Sequence, residues 1–374
     1  MEDQKIVAPL ATRPDKLPPV GDYFEEGFKF LGKHWKKLLM YFVPLALLQV
    51  VIGYLDLHFF GSGEAAPIWA TVITTILGIA ISYVMICASD LYCRNLDTSA
   101  EAKPFSIYIN GFKYFWKMLW AGILAVLVAS AGVALAYVGG MAFFALGGVL
   151  SAIIGKGIVS SLLIGLMSFI GVAFIFFCYI FFILSVVFIT YTVMLEEKKG
   201  LHAVMQSFWY AKGRKWGMFG RWFLMMLIPG IFATIGYAIG LGIIVSDLSF
   251  GALSQLSDPS NEISGSFIKM SLIVNLIVIP ISHLFYSSFG YVLWKHAKTT
   301  AGSEEAQVAY RTSKRGKFVA AAWVGAVISV LLVAFAALAP LFLTELAEKA
   351  DRAKNTSPSA ETSLESPIAE TVEE

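Results

Sequence analysis

Residues 194–217, MLEEKKGLHAVMQSFWYAKGRKWG, interrupt a chain that otherwise runs for long stretches almost without charge. Glu196, Glu197, Lys198, Lys199, Lys212, Arg214 and Lys215 fall within them, with aromatic residues in between. Such a burst can be a loop bearing an active site, a basic patch for nucleic acid, or a turn that membrane topology demands. Composition narrows the choice. Of 374 residues, 57% are hydrophobic and 14% charged, and the mean hydropathy is +0.72. Soluble domains carry about 25% charged residues, so the chain reads as an integral membrane protein, and its helix-length apolar spans make it all-α. The 28 basic and 26 acidic residues nearly cancel, and the distribution of charge carries the information.

Working outward, apolar stretches able to cross a bilayer, about 20 residues each, fall near 38–58, 68–93, 118–142, 165–195, 218–246, 268–295 and 318–343. About seven transmembrane helices are therefore expected. The stretches Met118 to Ile154 and Ile158 to Leu195 are longer than one crossing. The glycine pairs at 139–140 and 147–148, and the turn at 155–157, leave two readings open: helices projecting beyond the membrane, or a re-entrant piece around 143–164. Lys and Arg gather on alternate loops, with Lys29, Lys33, Lys36 and Lys37 before the first span and Lys198, Lys199, Lys212, Arg214, Lys215 and Arg221 after the fourth. Of the opposite loops, 59–67 and 247–267 hold neither Lys nor Arg, and the turn near 155 holds Lys156 alone. The positive-inside rule then puts the N-terminus in the cytoplasm and, after seven spans, the C-terminus outside. A bacterial plasma (inner) membrane is the expected location. Residues 1–22 are polar, lack the apolar core of a signal peptide, and are expected to be disordered in the cytoplasm. Residues 301–317 read as a basic cytoplasmic linker, 318–343 as the seventh helix and 344–374 as a disordered acidic tail.

Three charged segments share a pattern. Residues 23–39, 105–119 and 201–208 each carry apolar residues at helical spacing with polar residues opposite, and each holds a polar–small–Phe triplet: Glu26-Gly27-Phe28, Asn110-Gly111-Phe112 and Gln206-Ser207-Phe208. Two spans follow each. A six-span domain over 23–300 made of three repeats, near 23–95, 104–195 and 200–298, is expected, each repeat an amphipathic in-plane helix followed by a transmembrane hairpin. On such helices Lys33, Lys36, Lys113, Lys117, Lys212, Arg214 and Lys215 are the candidates for contact with the lipid surface, anionic headgroups included. The plainer alternative is that these charges only set topology. Nucleic acid is not expected as a partner, because the membrane surface already accounts for basic residues spread over four loops. A protein partner or a second copy remains open, with Gly236 and Gly240 spaced for close helix packing.

The sixth span holds the intramembrane polar candidates Asn275, His283 and Tyr286, beside Pro280. Such residues are functional candidates by default. A proton or substrate relay is one reading, and a buried histidine hydrogen-bonded between helices is the other. Asp56, Asp90, Glu196 and Glu197 all read as span ends. No hydrolase, nucleotide-binding or metal motif is present, so no catalytic residue, metal or cofactor is expected. Cys87, Cys93 and Cys178 read as buried small apolar residues.

Met194 to Trp216 resembles a signature of the membrane domain of glycerophosphoryl diester phosphodiesterases and related uncharacterised bacterial inner-membrane families. The residues that carry the resemblance are Glu196 or Glu197, Lys199-Gly200, Ala203, Ser207, Gly213 and Trp216, with the closing segment FYSSFGYVLWKHAKTT. It covers about residues 20–300. The resemblance implies an architecture and no activity, because the catalytic barrel fused to some members has no counterpart in this sequence. The expected function is non-enzymatic: a lipid- or partner-binding membrane module in envelope maintenance. The alternative is a transporter or channel with a polar path along the sixth span around His283.

Overall fold

The computed structural model of the chain describes residues 16–60, 68–100, 103–155, 157–246 and 262–356. Among them no residue lies in a strand. Six helical stretches are long and apolar enough to cross a membrane: Val20–Leu55, Val72–Asp97, Phe115–Ile154, Ile158–Met194, Lys215–Ile239 and Val274–Thr299. The protein is thus a helical, multi-pass membrane protein. Its helices are α1 (Val20–Phe60), α2 (Ile68–Tyr83), α3 (Ser89–Asp97), α4 (Pro104–Phe112), α5 (Phe115–Ile154), α6 (Ile158–Val186), α7 (Ile189–Met194), α8 (Gly200–Ala211), α9 (Lys215–Ser246), α10 (Glu262–Thr299) and α11 (Glu304–Thr356). A π turn, Val84–Ala88, joins α2 to α3.

The central pairing sets α1 against α10. Gly27 makes it close, because a Cβ there would run into the Phe289 ring. Tyr23 donates its hydroxyl proton to the Phe289 carbonyl at 3.2 Å, and Phe24 and Phe28 pack on the same ring. Aromatic area of this kind supplies the packing that water exclusion cannot supply between helices in lipid.

Two of the three amphipathic segments form helices of their own. The first does not: residues 23–39 belong to α1, which runs unbroken into the first apolar stretch. Nothing between Tyr23 and Leu39 interrupts the backbone ladder. Tyr23, Leu31 and Leu38 are buried on the inner face, while Lys33, Lys36 and Lys37 are exposed on the other. The segments at 105–119 and 200–211 instead break before their long helices, at Lys113-Tyr114 and at Lys212-Gly213-Arg214, where Gly213 takes φ +73°. The three units are therefore not built alike.

Of the two readings for 118–195, long helices are present. α5 is one continuous helix of 40 residues, about 60 Å long. Its glycines do not bend it into a re-entrant loop. They admit α6, as at Gly140, where a Cβ would stand 2.6 Å from Ile175. The chain reverses at Gly155, whose φ of +87° suits glycine.

α11 differs from the expected linker, span and tail. Residues 304–317 are helical because they pack: Tyr310 lies on Trp209 and Phe318 on Phe208. The helix passes through 318–343 and continues to Thr356, in a stretch rich in Ala, Leu, Glu, Lys and Arg, all strong helix formers. At the other end, Val20, Gly21 and Asp22 of the segment expected to be disordered already belong to α1. Residues 357–374 of the expected tail, and residues 1–15 of the N-terminal segment, lie outside the described residues.

Candidate functional site

Two irregular places in the helices meet at one cavity, and a third lies three residues from its wall. The first is the π turn. Its wide ladder frees carbonyls that side chains then take: Tyr41 donates to Val84 O at 2.8 Å and Ser89 to Ile86 O at 2.9 Å. The second is the gap at Val187-Phe188 between α6 and α7. There the Ser207 hydroxyl of α8 donates to Ser185 O at 2.7 Å and accepts from the Phe188 N–H at 3.2 Å. A single serine mends both sides of the broken ladder. The third is Pro280 in α10, which has no N–H to give its own helix. Broken or widened helices at membrane depth are tolerated only where protein covers them or a cavity lies beside them, and π turns occur often at functional sites.

A cavity of about 370 Å³ lies among these elements. Ser89 and Asp90 of α3, Thr190 and Tyr191 of α7, and His283, Tyr286 and Ser287 of α10 supply its polar wall, and Phe188, Trp222, Met225 and Met226 its apolar one. Asp90 is 3% exposed. The hydroxyls of Thr190 and Tyr191 are hydrogen-bonding neighbours of its carboxyl group, but its Oδ2 has no hydrogen-bond partner among the described residues. Among those residues, too, no Lys or Arg stands in the cavity wall. Arg221, next in the chain to Trp222 of that wall, is engaged elsewhere: it donates to Gly217 O at 2.7 Å and to Pro18 O, and lies over the Tyr23 ring. Gly290 lets Tyr191 reach the site, since a Cβ there would run into the tyrosine oxygen. Ser287 donates to Ser89 at 3.1 Å and ties α10 to α3 beside the carboxylate.

His283 and Tyr286, singled out in the sequence, both stand in this wall, and the His283 ring stacks on Phe42 and meets Tyr286 edge-on. Asn275 stands apart. It accepts a hydrogen bond from Tyr237 at 2.7 Å between α9 and α10 and is not part of the cavity wall. Asp90, which sequence position made a span end, is the carboxylate of the site. The first five residues of its helix α3, Ser89 to Cys93, are all buried, because α10, α4 and α7 close over it.

The surface candidates divide. Lys33, Lys36 and Lys113 are exposed. Lys117 and Lys215 are partly buried over the rings of Tyr114 and Phe181. Lys212 lies over Trp209 and Tyr310, at 4.9 and 5.2 Å. Arg214 is buried and donates to Tyr210 O at 2.9 Å, to Thr300 at 2.5 Å and to Ala297 O at 3.3 Å. The helix before it, α8, is largely covered by protein: Ala203 to Ser207 and Trp209 to Ala211 are all buried. Gln206, expected on the polar outer face, instead donates to Gln307 at 2.7 Å and accepts from Arg311 at 2.8 Å. Glu196 accepts from Tyr210 at 2.6 Å and from the Trp294 indole at 3.1 Å. Burial and this carboxylate raise the Tyr210 phenol well above its usual pKa, so it stays a donor.

No family model matches the chain, and no curated protein or solved structure does either.

Proposed function

We propose that the protein is a carrier-type membrane protein whose substrate or proton site is the cavity at Asp90. One observation carries this reading: Asp90, a buried carboxyl group with one oxygen unpartnered among the described residues, stands in the wall of a cavity it shares with His283 and Tyr286. An uncompensated charge removed from water is costly, and intramembrane carboxylates commonly mark proton relays and substrate paths. Asp90 therefore holds a proton or a bound cation, and His283 and Tyr286 offer a donor–acceptor chain on the opposite helix. Nothing in this reading requires an enzyme.

The test is proton flux into proteoliposomes loaded with a pH-sensitive dye, under an imposed potential. Flux is expected to fall about tenfold or more in Asp90→Asn and to fall measurably in His283→Ala. Wild-type flux no higher than that of protein-free vesicles would defeat the reading.

Lipid binding at the basic end is a second reading, supported by the exposure of Lys33, Lys36 and Lys113 along with Lys37. It rests on these residues and not on Arg214, whose guanidinium is engaged within the protein.

A further inference from the structure

The cavity has a neighbour. A groove of about 810 Å³ runs between α1 and α2, with Gln49, Thr74, Thr75 and Ser82 among its polar residues. Ile86 and Thr190 belong to both walls, so the groove and the cavity adjoin there. Helices α1 and α2 present much of their remaining surface outward, as Leu48, Val51, Ile73 and Ile76 do, which in a bilayer is toward lipid. The inner chamber sets the Asp90 carboxyl group, one oxygen of which is unpartnered among the described residues, beside the aromatic side chains of Phe188, Tyr191, Trp222 and Tyr286 and the soft thioethers of Met225 and Met226. A carboxylate among aromatic rings is chemistry for an organic ammonium ion, which takes a charge-assisted hydrogen bond from one side and ring quadrupoles from the others. An anion would meet Asp90 with no cation of the described wall to offset it.

Resting on the carrier reading, we propose that the ligand of this site is an amphiphilic amine, its ammonium group at Asp90 and its chain in the groove, reached laterally from the bilayer past Ile86 and Thr190. The ammonium donates to the Asp90 carboxyl group, whose hydrogen-bonding capacity the described residues leave partly unused. The polar residues along the groove accommodate a ligand that is not purely hydrocarbon.

Purified full-length protein in detergent, with tritiated dodecylamine as the probe, tests this. Saturable binding is expected. Dodecanol and dodecanoate of the same length should compete at least about tenfold more weakly. Asp90→Asn, checked for folding by size exclusion and thermal unfolding, should lose about tenfold or more in affinity. Ile86→Trp, which narrows the shared wall, should slow association. Equal competition by dodecanol, or an Asp90→Asn affinity equal to wild type, overturns the ammonium assignment. An unchanged association rate in Ile86→Trp overturns lateral entry. Proton flux in proteoliposomes made from the same purified protein separates the failures: flux without amine preference removes the ligand assignment alone, and absence of both removes the carrier reading as well.

Discussion

Helices α4 and α8 read alike in the sequence and end in opposite environments. Each is short, carries a polar–small–Phe triplet and precedes a long apolar helix. On α4, Phe105 and Ile109 are 72% and 54% exposed, and only Ile107 and Gly111 are buried. On α8 the polar residues themselves are interior, with Gln206 and Ser207 fully buried. The difference lies in what each helix has to mend. α8 lies against the gap in α6–α7 and supplies the hydroxyl that closes it, whereas Ser106 of α4 bonds to its own first turn, at Lys103 O. An amphipathic pattern thus marks a helix with two faces and leaves open whether the polar face meets solvent or another part of the protein.

The largest contrast between the two should come from the serines. Ser207→Ala leaves the Phe188 N–H and the Ser185 carbonyl without their partner, and is expected to cost about 3 kcal/mol, against about 0.5 kcal/mol or less for Ser106→Ala. Thermal unfolding in detergent measures both, and equal melting temperatures would erase the distinction. Next come the basic residues that follow each helix. Arg214→Ala should destabilise by about 2 kcal/mol through its lost carbonyl and Thr300 bonds, while Lys113→Ala, exposed, should leave stability within about 0.5 kcal/mol. Binding to anionic vesicles sharpens the comparison from the other side. There Lys113→Gln should weaken association by about 1 kcal/mol, and Lys33→Gln and Lys36→Gln similarly. Arg214→Gln, if folded, should leave vesicle binding unchanged. A lipid effect at Arg214 as large as at Lys113 would mean that α8 meets the headgroups after all.

How much could be read in advance follows residue by residue. His283 and Tyr286 stood out because polar groups are rare in an apolar run, and the same rule caught Asn275, which is occupied by Tyr237. Rarity marks a polar side chain without saying whether a neighbour satisfies it. Asp90 escaped because it lies seven residues before Asp97, near a basic stretch, and linear position placed it at the membrane boundary. Ser89 beside it was the available hint, a second polar residue at the foot of an apolar run. The irregular backbone that frames the site, the π turn and the gap at Val187-Phe188, has no glycine or proline to announce it.

By itself the sequence determined the class of the protein and six of the seven apolar crossings expected from it, because hydrophobic length is a property of each segment alone and the bilayer reads it locally. It marked 155–157 as a place where the chain could turn, since a left-handed backbone needs a local residue type. Only the tertiary structure decided that α1 absorbs its amphipathic segment, that α8 is an inner strut, and that Asp90 faces a cavity in company with His283. Each of these depends on whether a polar group finds a partner, and the partners lie at a distance in the chain: Ser207 for Phe188, Arg311 for Gln206, Ser287 for Ser89. Hydrogen-bond satisfaction in a low-dielectric interior is a pairwise matter, and pairs exist only once the chain has folded.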